Sequence, residues 1–222
     1  MMWTCLSQLK RMIGRTCIVL FAVLLSGCIS LPESHLVTMA PNVTLQLTAP
    51  PKALQMQAKT QLIEATFNGE TQSLLAQVEF TDSQIKLVAM TPSGIPLFDV
   101  LWSVTEDAVI NQYVPVPGLD ISYVIADLQW VNWPVEQLQS ATTGLLIETS
   151  ANTLTEVSTA TSVDRLDKHD SDVVQSAADW TRTLTKNGQV ILTVEKFDNR
   201  YILTHLLRDY QITITELSKV AL

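Results

Sequence analysis

Cys28 follows an apolar run, residues 18–25 (IVLFAVLL), and the two small residues Ser26 and Gly27. A thiol in that position can be the edge of a membrane segment, half of a disulfide, or a point of attachment. The chain has 222 residues and three cysteines, Cys5, Cys17 and Cys28. All three fall in the first 28 positions, so no disulfide framework or thiolate metal site can lie downstream. Lys10, Arg11 and Arg15 precede Cys28 and no acidic residue does. Even extended to Ile29 the apolar run is about 12 residues, short of the ~20 that span a bilayer. It has the size of the hydrophobic core of a signal peptide. Where a general secretory signal closes on an A-x-A-like site, this one closes on Leu25-Ser26-Gly27-Cys28.

Other reactive side chains are sparse. His35, His169 and His205 share no ligand spacing, so no metal site is expected. Asp164, Asp167, Asp170 and Asp172 cluster in DRLDKHDSD, without the glycine and closing glutamate of a calcium-binding EF-hand loop, and read as a solvated acidic loop. No nucleophile elbow, phosphate-binding loop or dinucleotide fingerprint is present, and no catalytic residue is expected. All 22 acidic side chains lie beyond Cys28, against 11 of the 14 basic ones. That balance repels phosphate backbones and excludes nucleic acid as an expected partner. No cofactor is implied.

What remains is apolar surface, 47% hydrophobic residues with mean hydropathy +0.22. Val43, Leu45 and Leu47 alternate with polar residues, the period of a strand. Asn68-Gly69 and Asn187-Gly188 each divide two apolar runs, a strong hairpin signal. Further turns fall at residues 81–83, 92–94, 198–199 and 208–209. Phe98, Val100, Trp102 and Val104 share one face of a strand. Between the two strand-rich halves the period changes. Ile121, Val124, Ile125 and Leu128 form a helical stripe behind Asp120, a candidate N-cap, and Pro134 can open a second short helix. Residues 149–172 are rich in Ser, Thr and Asp and read as a surface excursion. The expected fold is mainly β (α+β), a curled antiparallel sheet or half-open β-barrel with a helical lid.

Leu25-Ser26-Gly27-Cys28 resembles the lipobox of bacterial lipoproteins. The resemblance implies a signal peptide over residues 1–27, cleavage before Cys28, and covalent diacylglycerol and N-acyl chains on Cys28. Ile29, rather than aspartate, implies transfer to the outer membrane, periplasmic face, in contact with outer membrane lipid. Met12 begins a more compact signal, so Met1 and Met12 are both candidate starts. Residues 28–41 read as a tether and 42–222 as a single β-rich domain.

The stretches IKLVAMTPSGIPLFDVLW, ADLQWVNWPVEQL and YQITITEL, within residues 53–217, resemble an uncharacterised family of bacterial outer-membrane lipoproteins. Genes of that family often sit in aryl-polyene or fatty-acid-synthase-like clusters. It is similar in turn to the lipoprotein-localisation proteins LolA and LolB, half-open barrels with a helical lid over an acyl-binding cavity. The resemblance implies binding or transfer of an acyl or polyene lipid, or of a lipoprotein cargo, with a periplasmic carrier protein as a possible partner.

Phe98, Val100, Trp102, Ile121, Val124, Ile125 and Leu128 are most simply core, and on this reading line the cavity. Leu119 is the candidate for an exposed apolar loop. The alternative is a structural or adaptor lipoprotein whose barrel is filled by its own side chains and docks on an envelope assembly.

Overall fold

The structure, a computed structural model, describes residues 35–116, 118–151 and 178–222. Among these, ten strands form one antiparallel sheet built from two meanders. The first meander comprises β3 (Gln57–Phe67), β4 (Glu70–Phe80), β5 (Gln84–Met90), β6 (Pro96–Ser103) and β7 (Val109–Gln112). The second comprises β9 (Leu146–Ala151), β10 (Trp180–Lys186), β11 (Gln189–Phe197), β12 (Arg200–His205) and β13 (Tyr210–Ala221). They join where β3 pairs antiparallel with β13, giving the order β7-β6-β5-β4-β3-β13-β12-β11-β10-β9. β7 and β9 lie at opposite ends and do not pair, so the sheet is open, the mainly β, unclosed architecture expected.

The tight connections follow from residue type. Asn68-Gly69 and Asn187-Gly188 all have positive φ, the backbone of a two-residue turn whose twist matches that of the strands. The first fixes the hairpin register, with Phe67 opposite Glu70 and Gln61 opposite Ala76. Bulges at Ala89/Met90, Leu184/Thr185 and Glu216/Ser218 interrupt pairing in β5, β10 and β13, and bulges bend strands.

Two helices cross between the halves, α1 (Ile121–Asn132) and α2 (Val135–Ala141). Asp120 caps α1 as expected, its carboxylate accepting from Ser122 N at 3.0 Å. Pro134 stands one position earlier than expected, as the N-cap of α2. α1 is buried nearly all round, and a second sheet explains why: β1 (Leu36–Ala40), β2 (Val43–Gln46) and β8 (Thr142–Thr143) form three strands in that order. Tyr123 of α1 donates to the Thr38 carbonyl of β1 at 3.1 Å. His35 meets Trp102 of β6 edge-on at 5.4 Å, and Lys186 of β10 donates to the Pro41 carbonyl. The small sheet thus reaches both wings of the large one, with α1 in contact with both sheets. At Gly144, φ is +82° and a Cβ would stand 2.4 Å from the Asn42 carbonyl oxygen, so the β1–β2 turn and the β8–β9 link meet where only glycine fits.

The small sheet corrects one expectation. Leu36–Ala40, read as tether, is strand, with Val37 and Met39 buried, because alternate residues there complete the cover over α1. Thr149, Ser150 and Ala151, read as the start of the excursion, belong to β9. The rest of the excursion, the signal peptide and Cys28 lie outside the described residues. Among the described residues no helix is long and apolar enough to cross a membrane.

Candidate functional site: an apolar cavity beneath the central helix

The inner face of the large sheet is set by period-two alternation, and one row of it leaves space. Gln61 on β3 stands opposite Ala76 on β4, Ala76 opposite Ala89 on β5, and Ala89 opposite Phe98 on β6. Two adjacent alanines, both fully buried, occupy positions where larger side chains would close the gap to α1. The result is a cavity of about 230 Å³. Its walls are mostly apolar residues of β3, β4, β5, β6 and β13, joined by Gln61 and Gln72, with Val124 and Leu128 of α1 across from them. It shares Ala65, Gln72, Val116, Leu119, Val124, Asp127 and Ile212 with a wider vestibule of about 580 Å³ near the start of α1. Ligand pockets commonly measure about 300–1,000 Å³; the vestibule falls within that range and the deep part just below it.

A polar group marks the neck between them. Asp127 is the one charged residue of α1 and is buried. The Tyr210 hydroxyl lies 2.9 Å from both of its carboxylate oxygens and donates to them. Burial pushes the Asp127 carboxyl up to about 7, against the opposing pulls of the Tyr210 hydrogen bond and the Arg208 charge. Tyr210 is itself pushed up by burial and by the neighbouring carboxylate. The Arg208 guanidinium stacks 3.3 Å over the Tyr123 ring and donates to the Thr38 carbonyl at 3.4 Å. Carboxyl, phenol and guanidinium form a polar collar on the vestibule, which Glu70 and Asp120 also line.

The residues expected to line a cavity divide. Phe98, Val124 and Leu128 line the deep cavity. Val100 and Ile125 are fully buried and line none of the cavities described. Trp102 and Ile121 border a separate depression of about 470 Å³ beside β7. Leu119, expected in an exposed loop, is half-buried and packs against the core at the neck, because residues 118–120 lead the chain directly into the cap of α1. Sequence reasoning passed over Gln61, Ala76, Ala89, Asp127, Arg208 and Tyr210. Two signals were there: the Asn68-Gly69 hairpin fixes Ala76 opposite Gln61, and Asp127 interrupts an otherwise uncharged helical stretch.

α1 is held over the cavity mainly at its C-terminal end. The Gln129 amide donates to the Thr48 carbonyl at 3.0 Å and accepts from Thr48 N at 3.2 Å. Lys59 of β3 donates to Asn132 Oδ1 at 2.9 Å and pairs with Glu216 of β13 at 3.0 Å. Arg182 of β10 donates to the carbonyls of Trp130 and, at 3.1 Å, Trp133.

No curated protein matches the sequence. Among solved structures, a domain from Vibrio parahaemolyticus provisionally described as an outer membrane lipoprotein-sorting protein aligns at 8% identity with a TM-score of 0.34. The alignment covers 77% of this chain and 88% of that one. A family model described as "Protein of unknown function (DUF3261)" matches residues 58–164, a span that holds Gln61, Ala76, Ala89 and Asp127 and stops short of Arg208 and Tyr210.

Proposed function

We propose that this chain is a non-enzymatic lipid-binding lipoprotein of the outer membrane, anchored through acyl chains on Cys28 and facing the periplasm. Its cargo is an acyl or polyene lipid, or the acyl chains of a lipoprotein, received from or passed to a periplasmic carrier. The observation that carries this reading is the apolar cavity beneath α1, opened by Ala76 and Ala89 and continuous with the vestibule. Each buried methylene contributes about 0.8 kcal/mol, so a chain is retained without motif-like polar contacts. Release needs no chemistry on the cargo, only a partner that holds it more tightly.

The test is native mass spectrometry of a soluble form beginning at Ile29 and purified from a periplasm. The expected result is an extra mass, released by organic solvent and identified as an acyl or polyene species. Ala89→Leu should lose that mass while keeping or raising the melting temperature, since the added carbons fill existing space. A protein that stays bare after incubation with acyl lipids and lipopeptides would favour the adaptor reading. The packing of Leu184, Ile191, Leu192, Val194 and Leu203, each 1% exposed or less, already supports a self-filled interior on the β10–β12 side.

A further inference from the structure

Gln61 is 1% exposed, lines the deep cavity, and its side-chain Nε2 has no hydrogen-bond partner. Its polar neighbours are committed elsewhere. Glu216, opposite it on β13, pairs with Lys59, and Lys59 is shared between Glu216 and Asn132. The remaining neighbours along its row are Ala76, Ala89 and Phe98, which offer no side-chain acceptor. An amide nitrogen buried without an acceptor is costly, whereas leucine of similar size would complete an apolar wall here at no such cost.

Resting on the reading of the cavity as a chain-binding site, we infer that Gln61 is a specificity residue for the inserted end of the ligand: the cavity takes a chain whose leading end carries an oxygen function, a hydroxyl or carbonyl, in preference to one ending in a methyl group. Either group presents an oxygen that accepts from the unpartnered Nε2. The apolar walls hold the chain, the Asp127–Tyr210–Arg208 collar faces the group left in the vestibule, and Gln61 reads the tip.

The test compares dodecanoic acid with 12-hydroxydodecanoic acid by calorimetry on the soluble protein and on Gln61→Leu. The parent should bind the hydroxylated chain roughly tenfold more tightly, the worth of one net hydrogen bond. Gln61→Leu should reverse the order, favouring the plain chain. As a second readout, the Gln61 side-chain amide resonances should shift with the hydroxylated chain and much less with the plain one, a measurement that needs no variant. Equal binding of both chains by the parent, or a preference unchanged in Gln61→Leu, overturns the inference and leaves chain binding standing. Binding of neither chain overturns both.

Discussion

Asp127 and His205 lie on either side of Tyr210, and their ionisation acts on stability in opposite directions. Tyr210 donates to the Asp127 carboxylate and stacks 5.3 Å from the His205 ring, whose two nitrogens have no partner. Burial raises Asp127 from 3.8 to about 7, so its contribution is fully present below about pH 4 and is lost as pH rises through 7. Burial, with help from Arg208, lowers His205 from 6.5 to about 4, so its contribution is present above pH 6.5 and is lost as pH falls toward 4. Each shift corresponds to on the order of 3 kcal/mol, and between pH 4 and 6.5 the two largely offset. Asp99 and Asp179, held low by hydrogen bonds from Tyr113 and Lys196, titrate beneath that window. The parent's melting temperature should therefore change little from pH 4 to 6.5, dip slightly toward pH 7, and stay level above it, where each group carries the same charge folded and unfolded. Asp127→Asn should unmask the histidine, with stability climbing from pH 4 to 6.5 and level above. His205→Phe should unmask the carboxyl, with stability declining steadily to pH 7. Melting curves by circular dichroism across pH 4–8 decide it, and a profile for Asp127→Asn that parallels the parent's would refute the coupling.

At the scale of elements, α1 depends on charges borrowed from the sheet. Its last turn contains no basic residue, so the carbonyls at its C-terminus take their cation from Arg182 of β10. Burial lowers that guanidinium to about 10, which leaves it protonated at neutral pH, and it lies 5.1 Å from the Trp180 ring. Arg182→Met keeps the stem and strands two carbonyls. It should cost about 3 kcal/mol in urea unfolding, and Arg182→Lys should recover less than half, because one ammonium cannot span both acceptors as the planar fork does. A cost below about 1 kcal/mol would mean that the carbonyls find other partners. None of this anchoring was legible in the sequence, since Arg182 stands 49 residues beyond Trp133 and their meeting is decided by tertiary packing. The Asp120 cap and the Asn-Gly hairpins were legible because each is decided within a few residues. In the small sheet β2 was legible from the alternation of Val43 and Leu45, whereas β1 and β8 were missed for a related reason. β8 is two residues long, and the alternation of Val37 and Met39 is too short beside Pro32 and Pro41 to separate strand from tether. The cavity was half legible: the apolar positions of α1 and β6 were evident, but a cavity is a deficit of side chain, and two alanines on neighbouring strands show as a gap only once the register is known.

In the large sheet the two meanders join along one long-range seam. β3 and β13 pair over eleven positions, from Tyr210 opposite Phe67 to Ala221 opposite Gln57, and these are the strands by which the first meander meets the second. Pairing residues so distant in sequence closes a long loop before any contact rewards it, so this seam should form late and slowly. It also carries the site. β13 supplies Ile212 and Ile214 to the cavity wall, Tyr210 to the collar and Glu216 to the ion pair that holds Lys59 beside Gln61. The strand is not uniform along its length, because a bulge between Glu216 and Ser218 separates an inner part that buries side chains from an outer part, residues 217–221, that is exposed. Ending the chain after Glu216 should therefore lower the melting temperature by only a few degrees and spare chain binding. Ending it after Asp209 removes the seam entirely, and should abolish a single cooperative melt and chain binding together. If the longer truncation still melted cooperatively, the first meander with α1 and the small sheet would be an independent folding unit, and β13 a late addition that completes the cavity without holding the halves together.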